Sequence, residues 1–309
     1  MDAAELDYEL PPELIAQHPA EHRDASRLLV YERSTGIVRH RRFLELPEEI
    51  GDALTVVNDT RVVPARIPLE RPKGEVLLLE RLEDGSWLAL ARPTRRLRAG
   101  SRHGPVELLE HRGEGRWQVR LEGEPDGETP LPPYITEPLS DPARYQTVYA
   151  REAGSAAAPT AGLHFTPELL DRLEVARVTL HVGLDTFRPL AAATLEEHEL
   201  HGERYAVARE AWQRIEAAAR VLAVGTTTVR VLETVASDAV LQGRTALFIT
   251  PGFRFRRVDA LLTNFHLPRS TLLALVMAFA GVQETRRLYE LAIAERYRFL
   301  SFGDAMLVL

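Results

Sequence analysis

Residues 221–236 read VLAVGTTTVRVLETVA: four apolar residues, a glycine, three threonines and then a mixed apolar and polar segment. A short apolar run that ends at glycine predicts a buried strand, and the segment after it has a helical pattern. A strand followed directly by a helix is the unit from which parallel sheets are built. This stretch therefore predicts an α/β protein.

The same alternation continues on both sides of that stretch. Downstream, the predicted order is strand ALFIT, strand ALLTNF, helix STLLALVMAFAG, helix ETRRLYELAIAERY and strand AMLVL. Upstream, the predicted elements are two short strands in SRLLVYERSTGIVRH, helix LPEEIGDAL, strand LTVVN, a helix opened by Thr166-Pro167-Glu168, strand VTLHVG and helix EAWQRIEAAAR. The pattern predicts an α/β core with a mainly parallel sheet that helices cover on both faces.

The pattern of apolar and polar residues changes between residues 68 and 145. Short alternating segments, EVLLLERL, SWLALARP and RWQVRLEG, are separated by turns rich in glycine, proline and acids. Such a pattern is typical of a small antiparallel barrel. We therefore predict a discontinuous α/β core domain of residues 1–67 and 146–309, interrupted by an inserted small antiparallel β-barrel domain of residues 68–145.

Composition limits the chemistry. With 309 residues and 45% hydrophobic content, the chain can bury a sizeable core. It has no cysteine, which excludes disulfides, thiolate nucleophiles and cysteine-based metal sites. The acidic start of the chain and the absence of a run of about 20 apolar residues predict a soluble, cytoplasmic protein. A net charge of −7 means that any nucleic acid must be bound by a local patch.

Nearly all of the cations are arginines, since Lys73 is the only lysine among 38 basic residues. Guanidinium groups suit forked contacts with phosphate, although a GC-rich genome or a thermophilic origin explains the same usage. The densest run comprises Arg92, Arg95, Arg96, Arg98 and Arg102, with no acid between residues 85 and 106. It is the best candidate for contact with RNA phosphates, and a solvated basic loop is the alternative.

Two strand-to-helix junctions predict an anion site and a ligand crevice. At Gly225-Thr226-Thr227-Thr228, free backbone N–H groups and the helix dipole can hold a carboxylate or phosphate, with Arg230 in the same turn. Residues 263–271, TNFHLPRST, repeat this geometry and project His266 and Arg269. Two such junctions in one sheet predict a crevice along its carboxyl edge; plain βα turns explain each junction alone.

The small-residue segment GSAAAPTAGLHF, residues 154–165, lets a ligand approach the backbone closely and contains one titrating group, His164. A flexible loop with a packed histidine explains it equally well. His198, Glu199 and His201 suggest a metal, but HExxH spacing is absent. We predict no metal site there.

Taken together, these stretches resemble one family, the S-adenosylmethionine:tRNA ribosyltransferase-isomerases of queuosine biosynthesis. The resemblance runs in order from residue 8 to residue 309 and is most specific in PTAGLHF and TNFHLPRSTLL. The other matching stretches are YELPPELIAQHP, RDASRLLV, NDTRVVPARI, LPPYI, RYQTVYA, HVGLDTFRPL, VGTTTVRVLET and YRFLSFGDAMLVL.

The resemblance implies an activity and its partners. Such an enzyme transfers the ribosyl part of S-adenosylmethionine to the aminomethyl group of the base preQ1 at the tRNA wobble position and isomerises it, giving epoxyqueuosine and releasing adenine and methionine. S-adenosylmethionine is then a co-substrate, no metal or permanent cofactor is needed, and we expect a monomer. The family's fold, an α/β core with an inserted β barrel, agrees with the pattern above.

The implied chemistry needs a base for a proton of C5′, a group that helps adenine leave and an anion site for the methionine carboxylate. Histidines 164, 181 and 266 are the expected proton movers, with Asp59 and Asp304 as orienting groups or bases. His164 ranks first, because the helix start after it should lower its pKa. Expected substrate contacts come from Arg61, Gly162, Gly225, Thr226, Thr227, Arg230, Asn264 and Arg269.

Two departures and two alternatives accompany the resemblance. Asp185 stands where relatives carry glycine, and the β region of residues 73–128 is shorter than in relatives. A tRNA methyltransferase would use the same donor, but its glycine-rich acidic fingerprint is missing; it would add one carbon to the base, whereas ribosyl transfer adds five. A non-enzymatic RNA-binding module would consume no S-adenosylmethionine.

Overall fold

The computed structural model describes residues 1–82, 84–183, 190, 194–198 and 202–309. The strands are β1 (Arg27–Tyr31), β2 (Val38–Arg42), β3 (Leu54–Asn58), β4 (Thr60–Val62), β5 (Arg66–Leu69), β6 (Gly74–Arg81), β7 (Trp87–Arg92), β8 (Arg102–His103), β9 (Val106–Gly113), β10 (Arg116–Leu121), β11 (Glu152–Ser155), β12 (Val175–Leu180), β13 (Glu203–Ala206), β14 (Val221–Val224), β15 (Gln242–Thr245), β16 (Ala260–Asn264) and β17 (Ala305–Val308).

The α-helices are α1 (Leu46–Ile50), α2 (Pro167–Leu170), α3 (Arg209–Ala217), α4 (Thr226–Asp238), α5 (Thr271–Ala280) and α6 (Val282–Ala294). Short 3₁₀ helices occupy Ala3–Leu6, Pro12–Leu14, Arg23–Ala25, Phe43–Glu45, Thr94–Arg96, Pro142–Tyr145, Thr160–His164 and Leu195–Glu197. No helix in the described part of the chain is long and apolar enough to cross a membrane.

Nine strands form one mixed sheet in the order β15-β13-β12-β3-β14-β16-β17-β1-β2. Its centre, β12-β3-β14-β16, is parallel, as is the pair β17-β1, whereas the strands at both ends pair antiparallel. The prediction of a mainly parallel sheet therefore holds for β12-β3-β14-β16, whereas the antiparallel pair β16-β17 and the antiparallel edges make the whole sheet mixed. Since β12, β3, β14 and β16 all run the same way, their carboxyl ends meet along one edge.

Alternating side chains of the sheet enter two hydrophobic cores. On β14, Val221 and Ala223 pack with helices α3 to α6, whereas Leu222 and Val224 pack with α1 and α2 on the other face. This alternation follows from the two-residue repeat of a strand. The sheet is thus covered on both faces, as its continuous apolar strands predict.

A second, six-stranded antiparallel sheet has the order β5-β6-β7-β10-β9-β8. Its inward residues, such as Leu78, Ala89 and Trp117, form a core of their own. The sheet curls until its first and last strands approach, where the Nδ1 atom of His103 lies 2.9 Å from the carbonyl oxygen of Arg71. The result is a nearly closed antiparallel barrel; its status as a separate domain with the predicted boundaries stays a prediction.

One predicted strand is wrong. ALFIT, residues 246–250, forms no strand, and the edge strand β15 lies just before it at the polar residues Gln242–Thr245. The apolar residues Leu247, Phe248 and Ile249 instead line a cavity. Sequence alone does not distinguish an apolar cavity lining from an apolar buried strand.

Helix α4 is attached to the loop before β16 by Glu233. This side chain is fully buried, and its carboxylate accepts backbone N–H bonds from Arg256 (2.8 Å), Arg257 (3.0 Å) and Val258 (3.0 Å). A buried charge is stable only when its hydrogen bonds are made. Glu233 therefore fixes the direction of the helix whose first residues face the site described below.

We expect Glu233→Ala to lower the free energy of unfolding by about 3 kcal/mol, because three backbone N–H groups would lose their buried acceptor. Urea unfolding measures this change. Glu290→Ala, at an exposed position of α6, is the control and should change stability by less than about 0.5 kcal/mol. Equal losses in the two variants would contradict this role of Glu233.

Candidate active site

A cavity of about 500 Å³ lies where the carboxyl edge of the nine-stranded sheet meets the outer face of the barrel. Its size is in the range of small-molecule sites. The described residues that line it come from both sheets and from the starts of α4 and α5: Leu79, Glu80, Arg81, Leu88, Leu90, Arg116, Ala153, Gly154, His181, Gly183, Gly202, Glu203, Arg204, Thr226, Thr227, Arg230, Arg244, Leu247, Phe248, Ile249, Thr271, Leu272 and Leu275.

The start of α4 forms the anion-binding part of the cavity. Gly225 has a positive φ of 86° and its N–H donates to Leu262 O (2.7 Å), which turns the chain sharply from β14 into the helix. Because the first helical N–H bond is that of Val229 to Gly225 O (3.3 Å), the N–H groups of residues 226–228 have no intrahelical acceptor. Thr226 and Thr227 face the cavity, so the positive end of α4 is available to an anion there.

Asn58, at the end of β3, holds the neighbouring parts of this edge together. Its Nδ2 atom donates to Leu180 O (3.0 Å) and to Thr227 Oγ1 (3.3 Å), and its Oδ1 atom accepts from Leu180 N (3.0 Å) and Thr60 N (3.2 Å). The side chain is fully buried. One amide thus joins β3, the end of β12 and the first turn of α4.

His181 follows β12 and is the only histidine among the described residues that line the cavity. Its Nδ1 atom lies 2.9 Å from Thr60 Oγ1, whose hydroxyl also reaches Glu152 O (3.4 Å). If the hydroxyl proton goes to Glu152 O, His181 Nδ1 is the donor and Nε2 keeps its lone pair. Burial, followed by the charge of Arg204, lowers the pKa of His181 below its ordinary value, so the ring is neutral at pH 7.

Gly154 lets the backbone pack against the His181 ring. A Cβ atom at this position would lie 3.1 Å from His181 Cε1, and the φ of 141° is one that other residues rarely adopt. The residue therefore supports the imidazole from one side. Its neighbour Ala153 also lines the cavity.

Glu203 and Arg230 form an ion pair at the cavity with both side chains nearly buried, at 12% and 11% exposure. The other carboxylate oxygen of Glu203 accepts from Gly183 N (2.7 Å). Arg230 also donates to Leu247 O (3.0 Å) and Thr245 O (3.1 Å). Three of its five N–H donors are thus already engaged, so Arg230 mainly holds Glu203 and the loop after β15 in place.

The cavity is positively charged although the chain is acidic. The described lining residues include five arginines and two glutamates, Glu80 and Glu203. Glu80 pairs with Arg244 and Glu203 pairs with Arg230. A site with this excess of guanidinium groups favours a substrate that carries phosphate or carboxylate.

The barrel contributes the opposite side of the cavity through residues that alternate along β7. Trp87 and Ala89 point into the barrel core, whereas Leu88 and Leu90 point outward and line the cavity. Arg116 of β10 pairs in register with Leu90 and also lines it. These residues were not predicted from the sequence. Apolar residues on both faces of a barrel strand could have indicated them, because the outer face of a barrel strand is ordinarily polar.

The structure places His164 in a buried network that does not line the large cavity. Its Nδ1 atom lies 2.7 Å from Ser26 Oγ, its Nε2 atom lies 3.2 Å from Asn264 Nδ2, and its ring stacks on Phe43. Thr160 Oγ1 in turn donates to Asn264 Oδ1 (2.9 Å). The pKa of His164 is lowered to about 3, as the sequence led us to expect in direction, but the main cause is burial rather than a helix start.

His266 and Asn264 line a separate, much smaller cavity of about 30 Å³. The Nε2 atom of His266 lies 2.7 Å from Thr263 Oγ1, and burial lowers its pKa to about 3. Arg269 is exposed and has a positive φ of 52°, and its backbone N–H donates to Leu6 O (3.0 Å). The second junction therefore reaches the large cavity through Thr271 at the start of α5, whereas His266, Asn264 and Arg269 do not line that cavity.

The two predicted carboxylates also lie outside the lining of the large cavity. Asp304 accepts from the backbone N–H groups of Arg27 and Arg298, both at 2.8 Å, and so joins two chain segments. Asp59 accepts from Thr179 Oγ1 (2.7 Å) at the same sheet edge as His181. Burial raises the pKa of both carboxyls.

Gly162 and Arg61 do not line the large cavity either. Gly162 is buried, and a Cβ atom there would lie 1.9 Å from the Tyr149 hydroxyl, so close packing rather than ligand contact explains this glycine. Arg61 of β4 is exposed, in register with Ala153 of β11. Of the predicted site residues, the structure therefore brings His181, Thr226, Thr227 and Arg230 together around the cavity, with Gly225 immediately before the two threonines.

The arginine run lies on the barrel surface, with all five members exposed. Arg102 pairs with Glu122. The other four form no ion pair with any described residue. Arg92 follows Leu88 and Leu90 on the outward face of β7, so the run begins beside the cavity.

No group of three or more histidine, aspartate or glutamate side chains in the described ranges could hold a metal ion. Glu199 and His201, two members of the metal hypothesis, lie outside those ranges, as does Asp185. His198 lies within them and forms an edge-to-face contact with Phe248.

A cavity at the carboxyl edge of a parallel sheet, with a helix start, a histidine and several arginines, is typical of the ligand site of an α/β enzyme. A sequence model of the family described as "Queuosine biosynthesis protein" matches residues 3–308. The chain belongs to this family.

Named relatives agree with this assignment. The chain is 54% identical to the S-adenosylmethionine:tRNA ribosyltransferase-isomerase of Rubrobacter xylanophilus, covering 100% of this chain and 98% of the relative. It is 51% identical to the enzyme of the same name from Moorella thermoacetica, over the whole of both chains. It also resembles the crystal structure of the S-adenosylmethionine tRNA ribosyltransferase from Thermotoga maritima, with a TM-score of 0.58, 40% identity, and coverage of 99% of this chain and 100% of that one.

The buried histidines predict a pH dependence of stability. The pKa values of His164 and His266 are about 3 in the folded chain, against about 6.5 for a free histidine. Between these values the unfolded chain binds protons that the folded chain does not, so stability falls as the pH falls below about 6.5. We expect His164→Gln to reduce this slope by up to about 1.4 kcal/mol per pH unit.

Urea unfolding between pH 4 and 7 measures the slope for the wild type and the variant. His22→Gln, at an exposed position, is the control and should leave the slope unchanged. The same slope for His164→Gln and the wild type would show that His164 is protonated in the folded chain.

Proposed function

We propose that this enzyme transfers the ribosyl moiety of S-adenosylmethionine to preQ1 at the wobble position of tRNA and isomerises it to give epoxyqueuosine, with release of adenine and methionine. The family and its named relatives support the overall reaction. The observation that carries the proposal in the structure is the single cavity bounded by the start of α4, by His181 and by the arginine-bearing barrel. It provides an anion site, a base and an RNA-facing surface together.

In this proposal, the free N–H groups of residues 226–228 hold the methionine carboxylate of S-adenosylmethionine. The helix dipole adds about 0.3–1 kcal/mol at an exposed site and more where water is excluded. Leu88, Leu90 and Phe248 pack against the apolar parts of the donor. Glu203, held by Arg230, supplies negative charge to a donor whose sulfonium and ammonium groups are cationic.

We propose His181 as the base for the C5′ proton, in preference to His164 and His266. A base needs a neutral ring with an available lone pair within reach of the substrate. His181 lines the cavity, has a lowered pKa and presents Nε2 while Nδ1 is held by Thr60. We assign His164 and His266 positioning roles through Asn264 and Thr263, and Asp59 an electrostatic role beside Thr179.

The direct test incubates the protein with S-adenosylmethionine and preQ1-bearing tRNA and measures the masses of the digested nucleosides. The proposal expects a base enlarged by the five-carbon unit, together with free adenine and methionine. Addition of one carbon would identify a methyltransferase instead. Unchanged nucleosides with intact S-adenosylmethionine would identify an RNA-binding module.

We also propose that the reaction takes place in the cytoplasm, where tRNA is found, and that S-adenosylmethionine enters as a substrate rather than as a resident cofactor. The monomeric state expected from the sequence stays a prediction. The shorter β region, relative to other family members, also stays a prediction.

We expect His181→Gln to lower turnover by about 10²- to 10⁴-fold, the usual effect of losing a general base, while S-adenosylmethionine and tRNA still bind. Gly154→Ala should also lower turnover, because its Cβ would crowd the ring 3.1 Å away. Single-turnover kinetics and calorimetric titration measure the two effects. Wild-type turnover in His181→Gln, with His22→Gln as the matched control, would assign the base elsewhere.

For the arginine run, we expect replacement of Arg95, Arg96 and Arg98 together by alanine to weaken tRNA affinity and to flatten log K against log salt by roughly 0.7–0.9 per lost contact. Arg120→Ala is the control, because Arg120 already pairs with Glu107 (2.7 Å) on the same barrel. Filter binding at several salt concentrations gives both quantities. An unchanged salt slope in the triple variant would remove this surface from the RNA interface.

A further inference from the structure

A third cavity, of about 240 Å³, lies between β12, the start of α2 and residues 148–151. Its lining comprises Val148, Tyr149, Ala150, Arg151, Pro167, Leu170, Asp171 and Arg177. None of these residues lines the large cavity, and none is a predicted site residue. The donor-binding site therefore leaves this cavity without a function.

Two arginines in this cavity form no direct ion pair with a described carboxylate, although both lie within the electrostatic influence of Asp59. Neither Arg151 nor Arg177 forms an ion pair with any residue that the structure describes, whereas the nearby Arg172 and Arg214 pair with Glu48 (2.7 Å) and Glu174 (2.9 Å). The pKa of Arg177 is lowered by burial and then by the charge of Arg151, so the two guanidinium groups repel each other. Such a pair is stabilised by an anion between or beside its members.

Polar atoms around the cavity are also unsatisfied. Arg177 Nε and the hydroxyl of Tyr149 are buried and have no hydrogen-bond partner among the described residues. Buried polar atoms without partners are rare in native proteins and indicate a missing water or ion. Asp171 also lines the cavity but pairs with neither arginine, and the nearby carboxylate of Asp59 is bonded to Thr179 instead.

Strand β12 connects this cavity to the catalytic one. Arg177, Thr179 and His181 lie on the same face of the strand at alternate positions. At about 3.3 Å per residue, the Cα atoms of Arg177 and His181 are about 13 Å apart. A stacked nucleic-acid strand advances about 3.4 Å per phosphate, so about four nucleotides span this distance.

We propose that Arg151 and Arg177 form a second phosphate-binding site, which holds the RNA backbone a few nucleotides from the modified base. This inference rests on the proposed function, because tRNA supplies the phosphate. This site and the barrel arginines are separate patches, so the RNA backbone is held at two places. Attachment at two places fixes the base over His181 better than either patch alone.

The test measures tRNA affinity and its salt dependence for Arg177→Gln and Arg151→Gln. We expect each to weaken binding about 3- to 30-fold and to reduce the salt slope by roughly 0.7–0.9, with an unchanged KM for S-adenosylmethionine at saturating tRNA. Arg172→Gln is the matched control, since its guanidinium already pairs with Glu48. Arg151 is exposed, so its substitution reports on binding even if Arg177→Gln lowers stability.

The outcomes separate this inference from the proposed function. Wild-type affinity and salt slope in Arg151→Gln and in folded Arg177→Gln, with modified tRNA still formed by the wild type, would overturn the second phosphate site and leave the function intact. Weakened binding in both variants but not in Arg172→Gln would support it. Failure of the wild type to bind tRNA at all would contradict both the second phosphate site and the proposed function.

Discussion

The arrangement of the site depends on the four hydrogen bonds of one buried amide, Asn58. They join the end of β3 to the end of β12 and to Thr227 at the start of α4. His181 follows β12 directly, and its partner Thr60 follows Asn58 by two residues. The proposed anion site and the proposed base are therefore fixed relative to each other by a side chain that does not itself line the cavity.

A second constraint is the use of the barrel's outer face. Leu88 and Leu90 would be exposed on a free barrel, and in this chain they bound the cavity together with Arg116. The proposed donor site consequently lies where barrel and sheet edge meet. The local excess of arginine there, within a chain of net charge −7, explains how an acidic protein attracts an RNA substrate.

The sequence predicted those parts of the structure that short patterns determine. The strand–glycine–threonine junction at residues 221–228 correctly indicated the α/β sheet and a helix that starts at a cavity, and the alternating segments after residue 68 indicated the barrel; anion binding at that helix start stays a prediction. The sequence could not show which of three histidines lies in the cavity. His164 follows a small-residue segment and His181 follows a strand, but only tertiary packing places His164 in a saturated buried network and His181 beside a cavity.

Glu203 and Arg204 were missed for a related reason. They lie on β13, next to the edge strand β15. The preceding residues His198, Glu199 and His201 had suggested a metal site, and nothing local in sequence indicates that Glu203 pairs with an arginine 27 residues later. The apolar segment 247–249 was predicted as part of a strand because an apolar run usually indicates a strand buried in a sheet. In the structure these residues are apolar because they line the cavity. Local sequence patterns do not predict the role of a residue when that role depends on partners distant in the sequence.

Hydrogen–deuterium exchange with and without S-adenosylmethionine tests most directly whether the donor binds between the α4 start and the barrel. We expect the donor to slow exchange in peptides that cover residues 225–230 and 86–92, and to leave residues 160–166 and 264–270 unchanged. Protection of residues 160–166 and 264–270, with no change at 225–230, would place the donor at His164 and His266 and contradict this account of the active site.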